Sequence, residues 1–237
     1  MNQFLIAQSH LALTCKKFNS TDTKERYDHI LKKEPSHWVD TPIEYKFNKY
    51  GFRTTLDNPP TVGPYYAAFG CSETVGVGIP EYARYSNIIE DETGIPVLNL
   101  GISGGSVNGC YLNMLHLLLS NHTPPDTILL QVPSLERYLL PTENEDCFIA
   151  MPKGNNVFTR QFFVKHLKKV SNYYLQLIDQ LGKKFNIKII KFSLLPKGGD
   201  DIQFIPLVDR ARDNWHVGIQ TNKNVATWIL SEIENNV

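Results

Sequence analysis

Ser72, Asp213 and His216 are the side chains whose types and spacing could together do chemistry. Ser72 lies in Phe69-Gly70-Cys71-Ser72-Glu73-Thr74, directly after an apolar run, and Asp213 and His216 share the short stretch Asp213-Asn214-Trp215-His216 far downstream. Serine hydrolysis needs a hydroxyl nucleophile, an imidazole to take its proton and a carboxylate to hold that imidazole. Each residue also has a plain structural reading. A serine after a strand is often a helix N-cap, His216 could be a surface loop histidine, and Asp213 could serve a turn. The set is more informative than any member, because all three would have to meet at one place.

The elements around them supply that place. Residues 1–60 are read as an irregular extension with a short helix over 21–33, capped by Ser20 or Thr21, and with Trp38, Tyr45, Phe47 and Phe52 as anchors onto the main domain. The division falls at 1–62 and 63–237. Tyr65-Tyr66-Ala67-Ala68-Phe69 predicts a buried strand, 82–92 a helix stopped by Gly94, and 96–100 a second strand followed by a glycine-rich loop over 101–109. A helix over 110–120, a strand over 127–132, a polar stretch over 141–158, a long helix over 160–185 and a strand over 187–193 follow. A short edge strand within 202–207 and a helix over 220–233 complete the pattern. Strands alternating with helices imply an α/β fold, a parallel sheet covered on both faces. Right-handed crossovers then bring the strand C-termini, and with them Ser72, Gly104 and Ser134, to one edge.

On these residues the chain resembles the SGNH (GDSL-like) hydrolase family over roughly residues 63–237. Phe69-Gly70-Cys71-Ser72-Glu73-Thr74 stands where the family has Gly-Asp-Ser. Asn99-Leu100-Gly101-Ile102-Ser103-Gly104-Gly105-Ser106 resembles its oxyanion-hole loop, and Asp213-x-x-His216 its Asp-x-x-His. The resemblance implies a three-layer α/β/α fold with a flavodoxin-like parallel sheet. It also implies ester hydrolysis with Ser72 as nucleophile, His216 as base and Asp213 as its orienting partner, and no cofactor. The backbone N–H groups of Ser72 and Gly104 would form the oxyanion hole, since a glycine lets the backbone approach substrate closely. Two departures stand out. The family's third block carries an Asn donor, but Leu130-Gln131-Val132-Pro133-Ser134-Leu135-Glu136-Arg137 has none; Ser134 is nearest in position, and Gln131 or Arg137 could donate instead. Cys71 replaces the usual Asp and reads as a buried small residue or a reactive thiol. The glycines of the 101–109 loop could also merely make a flexible turn.

Composition bounds the rest. Lys+Arg and Asp+Glu are 24 each, so bulk charge points to no nucleic-acid partner. Cys15, Cys71, Cys110 and Cys147 match neither a zinc pattern nor a dense disulfide framework, and the histidines show no metal-ligand spacing. No apolar run approaches the roughly 18–20 residues that span a membrane, and residues 1–7 lack the features of a secretory signal. A cytoplasmic or virus-associated protein acting on a small-molecule or glycan ester is therefore expected. Two rivals share the fold: a catalytically silent binding or structural module, in which Ser72 and His216 should stand more than about 5 Å apart, and a flavodoxin-like nucleotide or flavin binder, which the missing phosphate-loop signature disfavours. Oligomeric state is not legible.

Overall fold

The computed structural model describes residues 8–34, 42–141, 147–150, 157–196 and 202–235. The N-terminal segment carries β1 (Cys15–Lys16), α1 (Lys24–Lys33) and β2 (Tyr45–Lys46), with β1 and β2 antiparallel. Helix α1 starts later than the sequence pattern predicts. Its cap is Thr23, extended and accepting from the Arg26 N–H at 3.2 Å, rather than Ser20 or Thr21. The Thr21 hydroxyl is engaged elsewhere. Trp38 lies outside the described residues, whereas Tyr45, Phe47 and Phe52 are buried as expected of anchors.

The main body continues with β3 (Tyr66–Phe69), α2 (Ser72–Val75), α3 (Tyr85–Thr93), β4 (Val97–Asn99), α4 (Val107–Leu119) and β5 (Thr127–Gln131). Next come β6 (Tyr138–Pro141), β7 (Cys147–Ala150), α5 (Val157–Phe185), β8 (Lys188–Ser193), β9 (Gln203–Phe204) and α6 (Ile219–Glu234). Helix α3 stops at Gly94, whose left-handed backbone ends the helix as its position suggested. Helix α4 begins before the expected residue 110, because Ser106 caps it by accepting from the Gly109 N–H at 3.3 Å. Strand β7, paired antiparallel with β6, falls inside the stretch read as merely polar.

Five strands form one parallel sheet in the order β4-β3-β5-β8-β9. The period-2 alternation of strand side chains splits the core in two. Ala67, Phe69, Leu98, Ile128 and Leu130 face α4 and α5, meeting Met114, Leu117, Leu175 and Ile178. Tyr66, Ala68, Val97, Leu129, Ile190 and Phe192 face α3 and α6, meeting Tyr85, Ile89, Val225 and Ile229. Because both faces are covered, the central strands read as unbroken apolar runs. This is the three-layer α/β/α fold with a parallel flavodoxin-like sheet expected from the sequence. The chain leaves β3 for β4 on one side and then returns to place β5 on the other. The C-terminal ends of β3 and β5 therefore flank the switch point where ligand sites form in such sheets. Among the described residues no helix is long and apolar enough to cross a membrane.

Candidate active site

Ser72 is the first residue of α2, immediately beyond β3, and its hydroxyl caps nothing; the N-cap position belongs to Cys71. The Ser72 Oγ lies 2.8 Å from His216 Nε2, and His216 Nδ1 lies 2.7 Å from Asp213 Oδ2. The separation expected of a silent module is absent.

The Asp-x-x-His spacing works through a local turn. Asp213 Oδ1 accepts from the backbone N–H groups of Trp215 and His216, both at 3.0 Å, which folds the chain back over the carboxylate. Asn214, inside the turn, takes a left-handed backbone (φ 52°), which asparagine tolerates better than most residues. The fold-back carries the imidazole to the second oxygen, Oδ2. That oxygen also accepts from the Thr21 hydroxyl at 2.7 Å, and Thr21 Oγ1 stands 3.3 Å from His216 Nδ1. Four donors thus converge on one carboxylate. Burial pushes the Asp213 carboxyl up, but the hydrogen bonds and charge of His216 and the Thr21 hydrogen bond hold it well below the usual range. An ionised Asp213 can only accept, so Nδ1 carries the proton and the neutral ring offers Nε2 to Ser72 as an acceptor. For His216, burial favours the neutral form but is outweighed by the hydrogen bond to Asp213 and the charges of Glu73 and Asp213, so its pKa is raised. Glu73 sits beside the ring, its Oε2 accepting from the Val217 N–H at 3.2 Å.

The Asp213 loop is locked from below by the N-terminal segment. Arg212 pairs bidentately with Asp22, Nε to Oδ1 at 3.0 Å and Nη2 to Oδ2 at 2.5 Å, and donates to the Lys17 carbonyl at 2.6 Å. Its guanidinium lies 4.6 Å from the Phe18 ring centroid and 5.3 Å from that of Tyr27. The Tyr45 hydroxyl donates to Asp22 Oδ2 at 2.6 Å and accepts from the Gly78 N–H at 2.7 Å. Gly78 itself (φ +79°) faces the loop so closely that a Cβ there would stand 2.8 Å from the Ala211 Cβ and 3.3 Å from Asp213 Oδ1. Sequence reasoning missed this contribution of Thr21, Asp22, Tyr45 and Arg212.

On the other side of Ser72 a cavity of about 250 Å³ opens, lined by Ser72, Glu73, Ser134, Arg137, Trp215 and His216 among others. A cleft of about 450 Å³, walled by Val132, Pro133, Leu135 and Pro196, adjoins it through the shared Ser134 and Leu195. Gly104 is half-buried in the loop after β4 with φ 77°, in the left-handed region that favours glycine; it is not in the cavity lining. Gln131 is committed elsewhere. Its Oε1 accepts from the Cys71 N–H at 2.9 Å and the Cys71 thiol at 3.1 Å, and its Nε2 donates to the Val132 carbonyl at 2.9 Å. Burial, helped by the Glu73 charge, pushes the Cys71 thiol up, which fits a packed residue rather than a reactive thiolate. Cys15, Cys71 and Cys110 are free thiols, while the Cys147 side chain is outside the described residues. Among the described residues no cluster of three His, Cys, Asp or Glu could hold a metal.

No family model matches the chain, and no curated protein matches it in sequence. Among solved structures it is similar to a member of the lipolytic protein G-D-S-L family from Veillonella parvula, at 16% identity and a TM-score of 0.40, covering 71% of this chain and 97% of that one. It is similar to an acetyl xylan esterase from Butyrivibrio proteoclasticus at 14% identity and a TM-score of 0.47, covering 76% of this chain and 65% of that one. It is also similar to a family two carbohydrate esterase from Clostridium thermocellum, solved with cellohexaose, at 16% identity and a TM-score of 0.45, covering 76% of this chain and 66% of that one. All three are likenesses of fold.

Proposed function

We propose that this chain is a serine ester hydrolase of the SGNH type, cleaving a small-molecule or glycan ester through an acyl-serine intermediate. The observation that carries the reading is the continuous hydrogen-bonded line from Ser72 Oγ through the His216 ring to Asp213 Oδ2, at 2.8 and 2.7 Å. Ser72 Oγ attacks the ester carbonyl carbon while its proton passes to His216 Nε2. Asp213 holds the ring in the tautomer that makes this possible and stabilises the imidazolium formed. The new oxyanion is received by the backbone N–H groups of Ser72 and Gly104 and by the Ser134 hydroxyl. Collapse expels the alcohol, which takes the proton back from His216. Water then attacks the acyl-serine with His216 again as base, releasing the acid and restoring Ser72.

The test is hydrolysis of chromogenic acetyl and longer acyl esters by wild type and Ser72→Ala. Turnover by the wild type that Ser72→Ala lacks supports the reading, and equal rates in both overturn it. The chain-length profile then assigns the adjoining 450 Å³ cleft to the acyl or the alcohol part of the substrate.

A further inference from the structure

Among the described residues, Arg137 is a charged group of the site that carries a buried and unpaired N–H. Strand β5 ends at Gln131, and the chain turns at Ser134, whose carbonyl accepts from the Arg137 N–H at 3.1 Å. This turn brings the arginine back over the end of the sheet and into the cavity that holds Ser72 and His216. The residue lines that cavity, while its Nη1, behind the lining, is shut off from solvent with no hydrogen-bond partner among the described residues. Buried N–H groups in folded proteins are almost always paired, and an exception needs an explanation. Arg212 shows the contrast: its guanidinium is paired with Asp22. Arg53 also leaves one buried N–H unpaired, at Nε, but its other nitrogens donate to the carbonyls of Glu44, Val75, Gly76 and Ile79. The positive charge is also felt by its neighbours, since it pulls the His216 ring towards its neutral form and opposes the upward push of burial on the Cys71 thiol.

A second observation concerns what the site lacks. The stretch after β5 has no Asn to serve as a third oxyanion donor. Gln131, the one side-chain amide there, is turned inward onto Cys71 and Val132. Beside the Ser134 hydroxyl, Arg137 is therefore the donor that this stretch brings to the cavity. Resting on the serine-hydrolase reading, we infer that Arg137 is a catalytic residue whose guanidinium donates to the substrate oxygen that becomes negative when Ser72 attacks, in place of the missing amide. The step adds no new bookkeeping of atoms. The carbonyl π electrons move onto oxygen as the Oγ–C bond forms, and the Arg137 N–H gains the anionic acceptor it lacks in the free protein. A charged donor is about twice as strong as a neutral one, and most so where water is excluded. Before substrate arrives the donor is a liability to folding rather than a support.

That asymmetry makes the inference testable. Wild type, Arg137→Ala, Arg137→Lys and Ser72→Ala are compared on a neutral acetyl ester, with kcat and KM resolved, and on an ester of the same alcohol carrying a carboxylate. Ser72 phosphonylation by a fluorophosphonate is followed by intact mass; there the P–O bond forms as fluoride leaves, and the phosphonyl oxygen occupies the oxyanion position. Arg137→Ala is expected to lower kcat on the neutral ester roughly 10²–10³-fold with KM nearly unchanged. Phosphonylation should slow in parallel, Arg137→Lys should recover part of both, and the thermal midpoint should hold or rise. Unchanged kcat and phosphonylation in Arg137→Ala would overturn the inference. So would an effect confined to KM for the carboxylate ester, which would make Arg137 a receptor for an anionic substituent. A fall in thermal midpoint matching the loss of rate would overturn it too, as a structural role. If wild type neither hydrolyses esters nor is phosphonylated at Ser72, the hydrolase reading fails, and this inference with it.

Discussion

The two sides of Ser72 are built on opposite principles. Towards the N-terminal segment the groups that hold the Asp213 loop are paired: both Asp213 oxygens are doubly engaged, and Arg212, Asp22, Tyr45 and the Gly78 N–H form one linked network. Towards the cavity, Arg137 carries a buried N–H with no hydrogen-bond partner among the described residues. A saturated network has one low-energy arrangement, so it fixes the imidazole before substrate arrives. An unsaturated donor gains its partner only when charge develops on the substrate, which is what lowers a barrier rather than a binding energy. On the proposed hydrolase reading, the proton-accepting half of the site is thus built for permanence and the charge-receiving half for use.

The sharpest way to break this comparison is to spoil the permanent half without removing its shape. Asp213→Asn keeps an acceptor for the turn amides but offers Nδ1 no anionic partner and permits the wrong tautomer. We expect kcat on a neutral ester to fall about 10⁴-fold, the scale seen when a triad carboxylate is made an amide. A fall below tenfold would mean that the network on this side is structural only. The next effect is on stability. Asp22→Ala strands the Arg212 guanidinium, 7% exposed, opposite a partner that was fully buried. Breaking a buried pair from one side costs about 3–5 kcal/mol, to be read from urea unfolding at constant slope. A loss under about 1 kcal/mol would show that the locked side is less locked than its hydrogen bonds suggest.

How much of this was legible in the sequence follows from the range of each interaction. The run at 65–69 reads as a strand because both faces of β3 are buried. The Asp213–His216 pair is legible for a local reason too, because the turn that joins them is made by the carboxylate and the next backbone amides. Thr21 is beyond such reading. Its partner lies 192 residues away, and as a threonine before a helix it looked like a cap. Strands β1 and β2, at two residues each, are too short to show a period. The sequence pattern starts helix α4 late because its first turn contains Gly109, a poor helix former, and the Ser106 cap overrides that preference. The absence of an Asn after β5 is visible in the sequence, but which neighbour could donate depends on side-chain orientation, which turns Gln131 inward and leaves Arg137 lining the same cavity as Ser72.

The smallest effect is the most discriminating, because it bears on the link between the two chain ends. Thr21→Val removes one hydrogen bond to the ionised Asp213 Oδ2 at nearly constant volume, a change of roughly 1.5–3 kcal/mol, so kcat/KM should fall by about ten- to a hundredfold. Thr21→Ser should restore it. The pH profile separates a positioning role from a loss of packing. Neutral His216 is the active form, so kcat/KM rises with pH through the His216 pKa; that pKa is raised above its ordinary 6.5, because the Asp213 hydrogen bond and the charges of Glu73 and Asp213 outweigh burial. The Thr21 hydroxyl takes up part of the negative charge on Oδ2. Without it Oδ2 holds the imidazolium more tightly, and the acid limb of the Val variant should move to higher pH while that of the Ser variant stays in place. Stability runs the other way. A histidine whose folded pKa is raised contributes stability that is fully present below its unfolded value and lost as pH rises through the folded one. Urea midpoints of the wild type should therefore show this contribution fading over the interval in which activity appears. A Val variant with a lower rate and an unmoved limb would mean that Thr21 only fills space beneath the loop.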